Sequence, residues 1–194
     1  WQYDGVTYAT LHVVGTNNNL TDVAPDPVEF AARDLATRDW LRETFDKAQA
    51  RRSKGVMLII QANTGFDRAD PTRAPTRDPR TLVADIKGPA ANSGDGFDNF
   101  LLELRGEVIE FGRPVALVHG DSHYFRVDKP LLDRNGFRIE NFTRVETPGD
   151  NSPTNNVDNS NDVHWVKVTA DSSNPELFTF EQEVLEANLQ PYLP

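Results

Sequence analysis

The chain has no cysteine and a single methionine. Without cysteine it has no disulfide, no thiolate-ligated zinc and no iron–sulfur cluster. That absence leaves the compartment open. No apolar run approaches the ~20 residues of a membrane-spanning helix, so membrane insertion is not expected. Positive charge is also scarce. Twenty Lys and Arg face 30 Asp and Glu, for a net charge of -10. A chain of that sign gains nothing electrostatically from nucleic acid or an anionic membrane, so neither is an expected partner. No signal peptide is visible. The chain opens on Trp1 and enters a strand almost at once. That start reads as a trimmed or partial product, and with the acidic, Asn-rich composition it points to an exported bacterial protein.

What is present is one domain's worth of periodic segments. The 194 residues suffice for a core. Residues 6–14 alternate and are rich in β-branched and aromatic types, which predicts a strand. On it His12 reads as a hydrogen-bonded strand histidine. Gly15-Thr16-Asn17-Asn18-Asn19 follows as a loop. Its asparagines suit a turn, because Asn tolerates the left-handed region, and they also offer amide donors to a phosphate. Residues 25–52 read as a helix whose apolar face carries Phe30, Leu35, Trp40, Leu41, Phe45 and Ala48. Trp40 reads as a core anchor. Residues 55–60 form an apolar run, a buried strand ending in Gln61-Ala62-Asn63.

Residues 64–96 are irregular and mix Arg68, Arg73, Arg77 and Arg80 with acidic neighbours, which reads as a solvated loop. Phe97, Leu101, Leu104, Val108 and Phe111 recur at helical spacing, and Gly112 and Pro114 stop that helix. A second apolar run, Val115-Ala116-Leu117-Val118, leads into His119-Gly120-Asp121-Ser122-His123. A buried strand that delivers polar groups at its C-terminal end is where open α/β sheets place their chemistry. His119, His123 and Asp121 are of types that suit zinc, manganese or iron. A further strand at 142–146, a loop at 147–162 and a hairpin of 163–168 with 177–184 complete the chain. These later strands read as antiparallel. His164 reads as structural.

Gly120-Asp121-Ser122-His123-Tyr124 resembles the last motif of the calcineurin-like metallophosphoesterases, Gly-His-x-His followed by an aromatic residue. Asp121 stands where that family has its first histidine. Thr37 followed by Trp40-Leu41 resembles the family helix that carries a Trp-Leu pair. The order of elements resembles the C-terminal half of the same fold. The resemblance implies an α/β fold, a mixed β-sheet or sandwich flanked by helices. Residues 1–194 would be a single domain or the C-terminal part of a larger one. It implies a hydrolase that cleaves a small phosphate-ester substrate with a metal-bound hydroxide, and two divalent metal ions (Zn, Mn or Fe).

The family's other motifs, Asp-x-His, Gly-Asp-x-x-Asp and Gly-Asn-His-Asp/Glu, do not occur in the chain. An upstream part of the same protein is therefore an expected partner that supplies them. Under the resemblance His123 is a metal ligand, and Asp121 is a ligand or orients one. Asn63 or Gln61 takes a weakened ligand position, where the family has a histidine. His119 is a supporting group or polarises the leaving oxygen. Two other readings stand beside this one. A degenerate, non-catalytic member would keep the fold for binding or scaffolding. A serine hydrolase would want Gly-x-Ser-x-Gly, and Gly120-Asp121-Ser122-His123-Tyr124 lacks the final glycine.

Overall fold

The computed structural model describes residues 1–21, 24–66, 95–149 and 164–188. The loop arginines of the 67–94 stretch and the loop of 150–163 lie outside these residues. Two apolar runs set the centre. β3 (Gly55–Ile59) and β4 (Val115–His119) pair in parallel, Val56 opposite Val115 and Ile59 opposite Val118. β2 (Val6–Thr10) flanks β3 in parallel, and β1 (Gln2–Tyr3) closes that edge antiparallel. On the other side β6 (Phe142–Glu146) runs parallel to β4, and the short β5 (Arg126–Asp128) is antiparallel to β6. The sheet order is β1-β2-β3-β4-β6-β5. The parallel pairing of β6 with β4 corrects the expectation of antiparallel strands after the histidine cluster for that strand alone, since β5 is antiparallel as expected. The fold is mixed α/β.

Both faces of the central strands are covered, which is why they read as continuous apolar runs rather than alternating ones. Val56, Leu58, Val115, Leu117 and Phe142 face two helices, α1 (Pro27–Ala50) and α2 (Asp98–Phe111). Met57 and Ala116 face the other way. There they meet Leu177 and Phe178 at the base of a separate hairpin, β7 (Trp165–Ala170) with β8 (Phe178–Glu183). At Gly55 the layers come close. A Cβ there would stand 2.8 Å from the Pro114 carbonyl oxygen and 3.3 Å from the Phe178 ring. The predicted hairpin is present, and His164 is structural, its Nδ1 accepting the Leu185 N–H at 3.2 Å.

α1 begins at Asp26, whose carboxylate accepts the N–H groups of Val28 and Glu29 ahead of Pro27. It buries Phe30, Asp34, Thr37, Leu41, Phe45 and Ala48 along one stripe. Trp40 falls off that stripe and is 45 % exposed, with Lys47 over its ring. The expectation of a core anchor is therefore corrected, and Leu35 is exposed for the same reason. α2 ends as expected at Gly112, in the left-handed region at φ 64°, donating to Val108. Among the described residues no helix is long and apolar enough to cross a membrane.

The α1–α2 seam carries a pH-sensitive group. Burial, then Glu103, Glu110 and Asp46, push the Glu107 carboxyl up to about 7, with Arg42 opposing. An unfolded glutamate titrates near ~4.3. A carboxyl with a raised folded pKa gives stability that is full below its unfolded value and lost as pH rises through about 7. Glu107→Gln is expected to be the more stable form at pH 8 and to flatten the slope between pH 5 and 7. Urea midpoints across that range check it; an unchanged slope would remove Glu107 from the account.

Candidate functional site

The C-terminal ends of β2, β3 and β4 meet at one rim. Gln61 and Asn63 follow β3, and Gly120 to His123 follow β4. The Gly120 N–H reaches across to the Gln61 carbonyl at 3.2 Å, which holds the two strand ends together. Asp121 then turns back over this junction. Its Oδ2 accepts the Asn63 N–H at 3.0 Å, while Asn63 Nδ2 donates to Ser122 Oγ at 2.5 Å. Gln61 Oε1 accepts the Gly15 N–H at 2.5 Å. Gln61 and Asn63 both lie at this rim.

The turn is strained. Asp121 has φ 78° and His123 φ 66°, in the left-handed region that is uncommon outside glycine and that Asn, Asp and His enter more often than other side chains. Such residues concentrate where function asks for them. His123 is exposed, and its ring lies against Gly149, where a Cβ would come within 2.8 Å of Cδ2. His119 is only 1 % exposed. It sits on the helix side of the sheet with its Nδ1 2.9 Å from the Gly120 carbonyl oxygen, so it braces the turn from below. His119 is therefore not on the rim where Gln61, Asn63 and Asp121 gather.

Beside His119 runs a buried polar layer that the sequence did not disclose. Glu146 is its register partner on β6, and Arg126 on β5 lies 3.8 Å from the Glu146 carboxylate. One step along, Arg144 makes a bidentate pair with Asp128, Nε to Oδ1 at 2.8 Å and NH2 to Oδ2. The ring of Phe66 covers the Arg144 guanidinium. The signal available was an Arg and a Glu spaced by two on a strand whose third like-facing residue is Phe142.

Gly15 and the asparagines form the third wall. A Cβ on Gly15 would stand 3.1 Å from Asp121 Oδ1 and 3.3 Å from Gln61 Oε1, so a larger residue here would push those two side chains aside. Asn17, Asn18 and Asn19 all have positive φ, between 52° and 65°. Three left-handed residues in a row need external support, and each amide provides it. Asn17 Oδ1 accepts the Gly96 N–H at 2.8 Å, and Asn18 Nδ2 donates to the Gly96 carbonyl at 2.8 Å. Asn19 Nδ2 donates to Glu29 at 2.9 Å. Of the two sequence readings the turn chemistry is the one the contacts support, since the amides are committed to structure. Arg33 locks the far side through Glu29, the His12 carbonyl and Asn18. Hydrogen bonds from Arg33 and Asn19 hold the Glu29 carboxyl down at about 2. His12 is exposed beyond the end of β2, which corrects the expectation of a strand histidine.

His12, Gly15, Glu29, Arg33, Gln61 and Asp121 line a cavity of about 490 Å³. Its donors are mostly oxygen: one exposed carboxylate at Asp121, the Gln61 amide, and Glu29 already paired to Arg33. Among the described residues no three His, Asp or Glu side chains converge into a metal-holding group. Carboxamides are poor ligands for zinc, manganese or iron. The residues brought together here do not fit a two-metal centre on their own. What they can do is hydrogen-bond and orient a small polar ligand. Compared with models of known families the chain matches none, and compared with curated protein sequences it matches none.

Proposed function

We propose that the chain is part of a calcineurin-like metallophosphoesterase, lending the Gly15, Gln61, Asn63 and Asp121 rim to a phosphate-ester site whose metal ligands come mainly from elsewhere in the protein. The observation that carries this is the adjacency of β3 and β4. Their C-terminal ends present Gln61-Ala62-Asn63 and Gly120-Asp121-Ser122-His123 side by side. The helical layer on one face of the sheet and the hairpin on the other support it. In this reading Asp121 fixes the rim through the Asn63 N–H, Gln61 does so through the Gly15 N–H, and His119 supports the turn.

A second reading, a non-catalytic member kept for binding, is favoured by the same contacts. Asp121 accepts the Asn63 N–H, the Asn63 amide donates to Ser122, and Gln61 accepts the Gly15 N–H. The experiment that separates the two uses the protein encoded by the whole gene. Metal content is measured, with release of nitrophenolate from p-nitrophenyl phosphate and its diester in Mn²⁺ or Zn²⁺. Turnover that falls at least about tenfold in Asp121→Asn, at unchanged stability, is expected of the phosphoesterase. Neither bound metal nor turnover would overturn that reading and leave the binding module.

A further inference from the structure

The cavity of about 490 Å³ between the end of β2, the start of α1 and Asp121 has its donors committed and its acceptors left over. Arg33 has five N–H groups, as every arginine does, and each is placed. Nε donates to Glu29 Oε1 at 2.5 Å, NH1 to the His12 carbonyl and Asn18 Oδ1, and NH2 to the Asn18 carbonyl and Glu29 Oε2. The Gly15 N–H goes to Gln61, and Asn19 Nδ2 to Glu29.

The oxygens tell the opposite story. Asp121 is exposed, and its Oδ2 accepts the Asn63 N–H at 3.0 Å. Among the described residues no hydrogen bond or ion pair reaches Asp121 Oδ1. Gln61 Oε1 accepts one N–H and, as a carbonyl oxygen, has a second lone pair. These oxygens converge in front of Gly15. A Cβ there would stand 3.1 Å from Asp121 Oδ1, and 3.3 Å from both Asp121 Oδ2 and Gln61 Oε1. Glycine keeps them clear of a methyl group. Charge points the same way. Glu29 and Arg33 pair with each other, so Asp121 is left as the one uncompensated charge among the described lining residues.

We propose that this cavity binds a small primary amine, its ammonium held by Asp121 Oδ1 and Gln61 Oε1. An ammonium brings three donors and no acceptor, which complements the oxygens left over. Its bond to the Asp121 carboxylate is charge-assisted. A phosphate or carboxylate in the same space finds the Arg33 donors already taken and meets the like charge of Asp121. The inference rests on the cavity's own oxygens and not on the phosphoesterase reading.

The test is a calorimetric titration of the protein encoded by the whole gene, in EDTA so that no metal takes part. Three probes share one chain length and carry their groups at its two ends: aminopentanol, pentanediol and hydroxypentanoate. Aminopentanol is expected to bind saturably, at least about tenfold tighter than the diol, and hydroxypentanoate not to bind. Asp121→Asn keeps an oxygen for the Asn63 N–H and removes the charge. It is expected to weaken aminopentanol at least about tenfold, the loss of one charge-assisted contact. No saturation with aminopentanol, a diol or carboxylate bound as tightly, or affinity unchanged in Asp121→Asn would overturn the proposal. Turnover of p-nitrophenyl phosphate without amine binding overturns this inference and leaves the phosphoesterase reading standing; amine binding without turnover does the reverse.

Discussion

Asp128→Ala is expected to cost about 3 kcal/mol of folding stability, the lower end of the range for breaking a buried ion pair. The asymmetry of the pair sets that figure. Asp128 keeps 39 % of its side chain in solvent, whereas Arg144 has none. Truncating the aspartate therefore removes a partly hydrated group at small direct cost. What it leaves is a guanidinium under the Phe66 ring that has lost its bidentate acceptor. Losing two charge-assisted hydrogen bonds from a cation that water does not reach costs more than the truncation itself. The double variant Asp128→Ala with Arg144→Met removes the buried charge as well and substitutes an apolar side chain of similar reach. It is expected to regain most of the loss, giving a coupling energy well above the ~1 kcal/mol of surface pairs. Urea unfolding of the single and double variants measures it. A single-variant loss below ~1 kcal/mol would mean that the pair behaves as a surface contact.

That ion pair also marks where the sequence stopped being informative. The central strands were legible because burial on both faces leaves an unmistakable apolar run at 55–60 and at 115–118. α2 was legible from its spacing and from Gly112 and Pro114. The rim was partly legible, since polar residues that close two buried strands must emerge at one edge when the strands are parallel neighbours. β6 was legible as a strand but not in its direction. Phe142-Thr143-Arg144-Val145-Glu146 alternates, and alternation describes a half-solvated strand as well as one whose charges are paired inside. Trp40 was misplaced because a long helix offers more apolar residues than its stripe can bury. Gly15 was missed outright. Its role rests on contacts with Gln61 and Asp121, far along the chain, and no local pattern encodes them.

The same limit applies to Gly96, the last residue of the irregular 64–96 stretch, and Gly96→Ala is expected to cost about 3 kcal/mol, the upper part of the range for overpacking. A Cβ there would run into the carbonyl of Asn17 and stand 2.9 Å from the Asn18 Cβ. The first obstacle is backbone, so no rotamer change relieves it. Moving Gly96 away breaks the bonds to Asn17 and Asn18 that hold three left-handed residues in place. Moving the asparagines instead displaces Gly15, and with it the Gln61 amide and the Asp121 carboxylate packed against it. The variant should therefore lose stability and rim geometry together. Asn18→Ala is the comparison: it removes the amide contacts to Gly96, Arg33 and the Val14 N–H without adding bulk. Thermal unfolding measures the stability, and amide chemical shifts of Gly15 and Asp121 report the rim. If Gly96→Ala stays within ~0.5 kcal/mol of the parent with those shifts unmoved, the clamp is not what holds the Gly15 wall against Asp121. If both respond, the order of the rim depends on a turn 79 residues from its anchor in sequence.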